Sequence, residues 1–115
     1  MLRSLIKGFL SWNSKTDYNN NALKILAIAK HHGAFNVRIF GSVARGEEQE
    51  DSDIDFLIDY DLAKISSWFP IGLIQDLESL LNRKVDVVTS KSLHHFIRDK
   101  ILNEVIELWK RIDLI

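Results

Sequence analysis

The chain has 115 residues, the length of one small domain, with 46% hydrophobic content, 15 basic against 16 acidic side chains, and no cysteine. That balance gives no overall pull toward nucleic acid or an anionic membrane, and the missing cysteines exclude a disulfide framework and a thiolate zinc site. No apolar run approaches the ~20 residues of a membrane span, and Lys7 interrupts the apolar N-terminal stretch, so neither a membrane anchor nor a secretory leader is expected.

Leu2, Leu5, Ile6 and Phe9 share one face of a short predicted helix, and Ser11–Asn21 reads as a polar connector. Residues 1–20 are therefore expected to form an accessory element ahead of a main domain at 21–115. The next helix is predicted over Asn21–His32, with Asn19–Asn21 offering N-caps and Gly33 a C-cap. Its apolar residues, including Leu23, Ile25, Ala27 and Ile28, nearly encircle it, which predicts burial on most sides. His31 and His32 close it as cations suited to a helix C-terminus.

A strand is predicted over Asn36–Phe40, then a glycine-led loop with one helical turn at Val43–Gly46. Glu47, Glu48, Glu50 and Asp51 read as solvated loop charges. A second strand covers Ile54–Tyr60. The segment Asp61–Pro70 is a loop whose Trp68-Phe69-Pro70 either folds back onto the core or forms a contact surface. A helix over Ile71–Leu81 has Leu73, Ile74, Leu77, Leu80 and Leu81 on its inner stripe, and a third strand covers Val85–Thr89. One long helix is expected from Ser92 to Arg111, with Leu102, Ile106 and Trp109 as an extra apolar side facing the N-terminal helix, a second copy or another protein. His94 and His95 begin it without ligand spacing to another His. The order predicts an α/β (α+β) fold, a small sheet packed by helices.

The stretch Gly41–Asp59 concentrates the chemistry. Strand alternation points Asp53 and Asp55 the same way, with Ile54, Phe56 and Ile58 on the buried face. Two neighbouring carboxylates repel and call for a cation, for which Mg²⁺ is the usual hard partner of oxygen ligands. Gly41 permits a tight turn and close approach of a phosphate, toward which the Ser42 hydroxyl and the N–H groups of Ser42, Val43 and Ala44 face. Arg45 either reaches that phosphate or pairs with the acidic run after it. Asp59 has the right parity but lies ~20 Å along the strand from Asp53, which marks it as a strand-end residue. Asp86, alone in Val85-Asp86-Val87-Val88, is either an edge-strand residue or a third carboxylate.

GSVARG, six residues, then DID resembles the signature of the nucleotidyltransferase superfamily that includes DNA polymerase β. From about Ala22 to about Leu108 the chain resembles its minimal nucleotidyltransferases (MNT), antitoxin partners of HEPN ribonuclease toxins. The resemblance implies a mixed sheet, with the active site on the open face opposite the helices. It implies that Asp86 completes the carboxylate set, with Asp53, Asp55 and Asp86 holding two Mg²⁺ ions. Gly41, Ser42 and Arg45 would then grip the triphosphate of ATP. It further implies a cytoplasmic antitoxin that moves AMP onto a tyrosine of its toxin beside the RNase site, with no nucleic-acid or membrane contact of its own. The assembly is left open between a homo-oligomer and a hetero-oligomer with the toxin. A binding-only antitoxin and a small-molecule nucleotidyltransferase, of aminoglycoside type, are the alternatives.

Overall fold

The computed structural model describes residues 18–49 and 51–112. The helix expected at Leu2–Phe9 and the first part of its connector lie outside the described residues. Tyr18 is helical and fully buried, so the packed unit already includes the end of that connector.

Helix α1 (Ala22–His31) carries Lys30 and His31 in its last turn, where cations complement the helix dipole. Gly33 at φ +81° then turns the chain, and a Cβ there would sit 2.9 Å from the Lys64 carbonyl carbon. Only glycine fits both the left-handed backbone and that contact. Helix α1 buries one face, through Ala22, Ile25 and Ala29, while Leu23 is 67% exposed. The expected burial on most sides is corrected: the helix covers one face of the sheet, and its apolar outer residues stay at the surface.

Four strands form one sheet, in spatial order Val85–Thr89 (β3), Ile54–Tyr60 (β2), Ala34–Phe40 (β1) and Ile106–Glu107 (β4). Strand β1 (Ala34–Phe40) runs antiparallel to β2 (Ile54–Tyr60), and β2 runs parallel to β3 (Val85–Thr89). A parallel pair needs a crossover. Helix α3 (Ile71–Leu81) supplies it, after the short α2 (Gly41–Arg45) has linked β1 toward β2. Leu73, Leu77 and Leu81 of α3 pack on Ile54, Phe56, Ile58, Val85 and Val87, with Ile25 and Ala29 of α1 in the same core. Asn82 ends α3 in the left-handed conformation at φ +52°. In the preceding loop, Phe69 packs onto the core with its ring 5.3 Å from that of Tyr60, while Trp68 is 75% exposed.

The C-terminal third departs from the single long helix. Ser90–Ser92 is a 3-10 turn, α4 spans His95–Glu104, β4 is Ile106–Glu107, and Leu108–Arg111 is another 3-10 turn. The reason is the free edge of β1. Val105 is extended, Ile106 pairs with Ile39, and Glu107 pairs with Arg38, so the chain satisfies edge backbone groups that would otherwise stay open. β-Branched Val105-Ile106 suits a strand better than a helix. Leu108 then enters the core with no exposure. Helix α4 itself contains no buried residue, and Trp109 is 56% exposed.

The sheet face opposite α1 and α3 is covered at one end. Leu57 shares the parity of Asp55 yet is fully buried, and Leu93 is also buried. Arg38, 7% exposed, donates to Ser90 Oγ at 2.8 Å, to the Asn36 carbonyl at 2.9 Å and to Asp59 Oδ1 at 3.2 Å. This network seals the Asp59 end of the face and leaves the Asp53–Asp55 end as the site.

Candidate active site

Strand β1 ends by delivering Gly41 at φ +77° against Asp55 of β2. A Cβ on Gly41 would overlap Asp55 Oδ2 and lie 3.2 Å from its Cγ. Glycine is required here by backbone conformation and by space together. Buried Val43 anchors α2 to the core, and Gly46 closes it at φ +72°. The Glu47 N–H donates to the Ser42 carbonyl at 2.9 Å, which fixes the exit of the turn.

The parallel register of β2 and β3 sets Asp55 beside Asp86, and the antiparallel register sets it beside Phe40, the residue before Gly41. Asp53 lies just before β2, close enough for its charge to be felt at Asp55. Burial pushes the Asp55 carboxyl up to about 6, and the negative charges of Asp86, then Asp53, add to that effect. The Arg45 guanidinium opposes it, and Glu104 adds a little more in the upward direction. Asp55 therefore sits in a surplus of negative charge on a partly desolvated surface, and hard oxygen donors in that state fit a divalent cation. Among the described residues, no three acidic or histidine side chains converge as a ready-made metal cage.

Arg45 pairs with the acidic run, as one of its two expected roles has it. Its Nε donates to Glu47 Oε1 at 2.9 Å, and its Nη1 lies 3.2 Å from both oxygens of Glu104. Glu104 Oε1 also accepts the Gly41 N–H at 3.1 Å. The sequence offered no signal for Glu104, which reads as one more polar position in a long helix. It reaches the site only because α4 stops there.

One other residue differs from expectation. Glu48 is not a solvated loop charge: its carboxylate faces Arg83 Nη2 at 3.8 Å, with side chains only 14% and 8% exposed. Arg83 also donates to the Ser52 carbonyl at 2.7 Å, pinning the loop that delivers Asp53. Glu50 lies outside the described residues. Asp59 is the expected strand-end residue. Burial alone would raise its carboxyl, but hydrogen bonds from Ser90 and Asn36 and the charge of Arg38 outweigh it and hold the group below the usual carboxylate range.

Residues 23–108 match the family model described as a nucleotidyltransferase domain. The chain belongs to that family. Among its nucleotidyltransferase relatives, it is 41% identical over 85 residues to a Methanocaldococcus jannaschii protein named, provisionally, a protein adenylyltransferase, covering 74% of this chain and 90% of the other. It is 38% identical over 79 residues to the protein adenylyltransferase MntA of Thermococcus cleftensis, covering 69% of this chain and 79% of the other. A solved structure described provisionally as a minimal nucleotidyltransferase superposes with a TM-score of 0.68 at 38% identity, over 76% of this chain and 88% of that one. Two complexes share the fold at lower identity. One is a toxin–antitoxin pair with AMP-PNP, at TM-score 0.64 and 24% identity over 77% of this chain and 73% of that one. The other is a tri-AMPylated Shewanella oneidensis HEPN toxin with its MNT antitoxin, at TM-score 0.54 and 22% identity over 77% of this chain and 69% of that one.

Proposed function

We propose that the chain is an antitoxin that transfers AMP from ATP onto a tyrosine of a cognate HEPN ribonuclease toxin. The observation that carries the reading is the packing of Gly41 directly against Asp55, with Asp86 beside it across the strand pair. That arrangement brings a phosphate-tolerant turn and the Asp55–Asp86 pair to one spot. The names of the relatives as protein adenylyltransferases support the protein acceptor. The structural neighbour in complex with a HEPN toxin supports its class. We take residues 21–115 as the minimal nucleotidyltransferase domain, residues 1–20 as an accessory segment, and the cytoplasm as the site of action. Among the described residues no helix is long and apolar enough to cross a membrane.

Asp53, Asp55 and Asp86 would hold Mg²⁺, two ions in all, which supplies charge neutralisation around the α-phosphate. The chain's own residues do the rest. The backbone N–H groups at Gly41 and Ser42, with the Ser42 hydroxyl and Arg45, bind the β- and γ-phosphates. Asp86, exposed at the sheet edge, faces the acceptor hydroxyl and takes its proton. The tyrosine oxygen forms its bond to the α-phosphorus as the bond to the bridging oxygen breaks and pyrophosphate leaves. Catalysis here is positioning and electrostatics, as in other phosphoryl transfers.

The test is incubation with labelled ATP, Mg²⁺ and the protein encoded next to this chain. Label on a toxin tyrosine is the expected result. RNase activity silenced without label points to the binding-only alternative, and label moving only to an aminoglycoside points to the small-molecule enzyme.

A further inference from the structure

Where the proposed function needs a phosphate, the end of α4 places a carboxylate. Glu104 Oε1 accepts the Gly41 N–H at 3.1 Å, and both its oxygens lie 3.2 Å from Arg45 Nη1. The Glu104 side chain is 16% exposed, so the contact is largely shielded from water. A carboxylate and a phosphate oxygen ask for the same donors, a backbone N–H and a guanidinium. Both donors are already taken by an anion of the chain itself.

Two observations separate this from a passive tie. Glu104 brings a fourth carboxylate to a face that already carries Asp53, Asp55 and Asp86, and its charge is felt at Asp55. That repulsion works against the tie Glu104 makes to Gly41 N–H and Arg45. The carrier is also easy to displace, because α4 buries none of its residues and moving its end opens no core. Val105, directly after Glu104, is extended and leads into β4, so the chain behind the carboxylate is held by strand pairing while the helix before it is not.

We propose that Glu104 sets the nucleotide affinity of this site by competition: a nucleotide phosphate takes Gly41 N–H and Arg45 only by displacing the Glu104 carboxylate. This rests on the nucleotidyltransferase reading of the Gly41 turn. It makes Glu104 an affinity-determining residue that weakens binding by the free chain. It also ties occupancy of the site to the position of α4.

The experiment is calorimetric titration of the full chain with AMP-PNP and Mg²⁺, for the natural sequence, Glu104→Gln, Glu104→Ala and Glu47→Gln, with thermal unfolding of each before nucleotide is added. Glu104→Ala is expected to tighten binding about fivefold, the scale of a partly exposed charge-assisted contact. Glu104→Gln, which keeps the size and an acceptor oxygen, is expected to fall between. Both should melt slightly lower than the natural chain, so affinity and stability move in opposite directions. A structural tie would move them together. Glu47 also pairs with Arg45 but is 64% exposed, and Glu47→Gln should tighten binding less. Unchanged or weaker binding by both Glu104 variants overturns the competition and leaves the nucleotide reading standing. Binding by Glu104→Ala alone is the competition in its strongest form. No binding by any of the four chains overturns the nucleotide reading, and the competition with it. If Glu104→Ala fails to fold, Glu104→Gln decides.

Discussion

Asp55 concentrates the residue-scale energetics. Its folded-state pKa of about 6 stands above the ordinary 3.8, so the folded chain holds the proton more tightly than the unfolded one. The stability this group contributes is full below about pH 4 and is lost as pH rises through 6. At pH 7 the ionised carboxylate is a cost to the metal-free fold. Asp55→Asn is therefore expected to stabilise the metal-free chain at pH 7 by on the order of 1 to 2 kcal/mol, after allowance for solvent screening. The gain should vanish near pH 4, and transfer to the toxin should be abolished. Urea unfolding midpoints of both chains from pH 4 to 8 give the comparison; a gap that does not change with pH would sink the assignment. Gly41→Ala asks a different question, since its Cβ meets Asp55 Oδ2 and its φ is +77°. It should cost about 1–3 kcal/mol of stability and most of the transfer, whereas Ser42→Ala, which leaves the backbone N–H groups in place, should lower transfer modestly. A Ser42→Ala loss larger than that of Gly41→Ala would show that the hydroxyl, not the backbone, is the main grip. These residues were legible in the sequence because a two-residue strand period and a Gly-Ser turn are local signals. Glu104 was not, because only tertiary folding brings it to Gly41.

At the scale of elements, legibility followed the same divide. Strand β2, helix α3 and strand β3 begin and end where their apolar spacing places them, since each carries one continuous period and a clear stop, such as Asn82 after α3. The region from Ser92 to Arg111 failed because residues of two different elements happen to share a helical spacing. Ile97 and Ile101 lie on α4 while Leu108 lies past β4, and the edge of β1 recruits the strand between them. The structure thus separates residues that periodicity groups together. Leu108→Ala, at a position with no exposure, should cost about 2–5 kcal/mol by leaving a cavity. Leu102→Ala, on the 42%-exposed outer side of α4, should stay within about 0.5 kcal/mol, as should Trp109→Glu. Denaturant midpoints of the three variants check this, and a large loss for Leu102→Ala would restore the continuous buried helix.

On the scale of the whole molecule, the sheet divides its charge. Its near-neutral total, formal net charge −1, conceals a site face where Asp53, Asp55, Asp86 and Glu104 gather against the Arg45 guanidinium. The opposite end of the same face is balanced, with Arg38 set between Asp59 and Ser90. A cation should therefore bind the folded chain at the first end and gain nothing at the second. Anything that binds only the native state stabilises it by RT ln(1 + [L]/Kd), which for Mg²⁺ at ten times its Kd is about 1.4 kcal/mol. Mg²⁺ added to the nucleotide-free chain at pH 7 is expected to raise the unfolding midpoint, and chelation should return it to the starting value. Asp53→Asn should blunt the rise, while Asp59→Asn, whatever it does to the starting stability, should leave the rise intact. Lowering the pH below 6 should shrink the Mg²⁺ effect as Asp55 takes up its proton and the site loses charge. An equal rise for Asp53→Asn and the natural chain would show that the ion sits elsewhere, and the carboxylates of β2 would then have to act on the nucleotide without it.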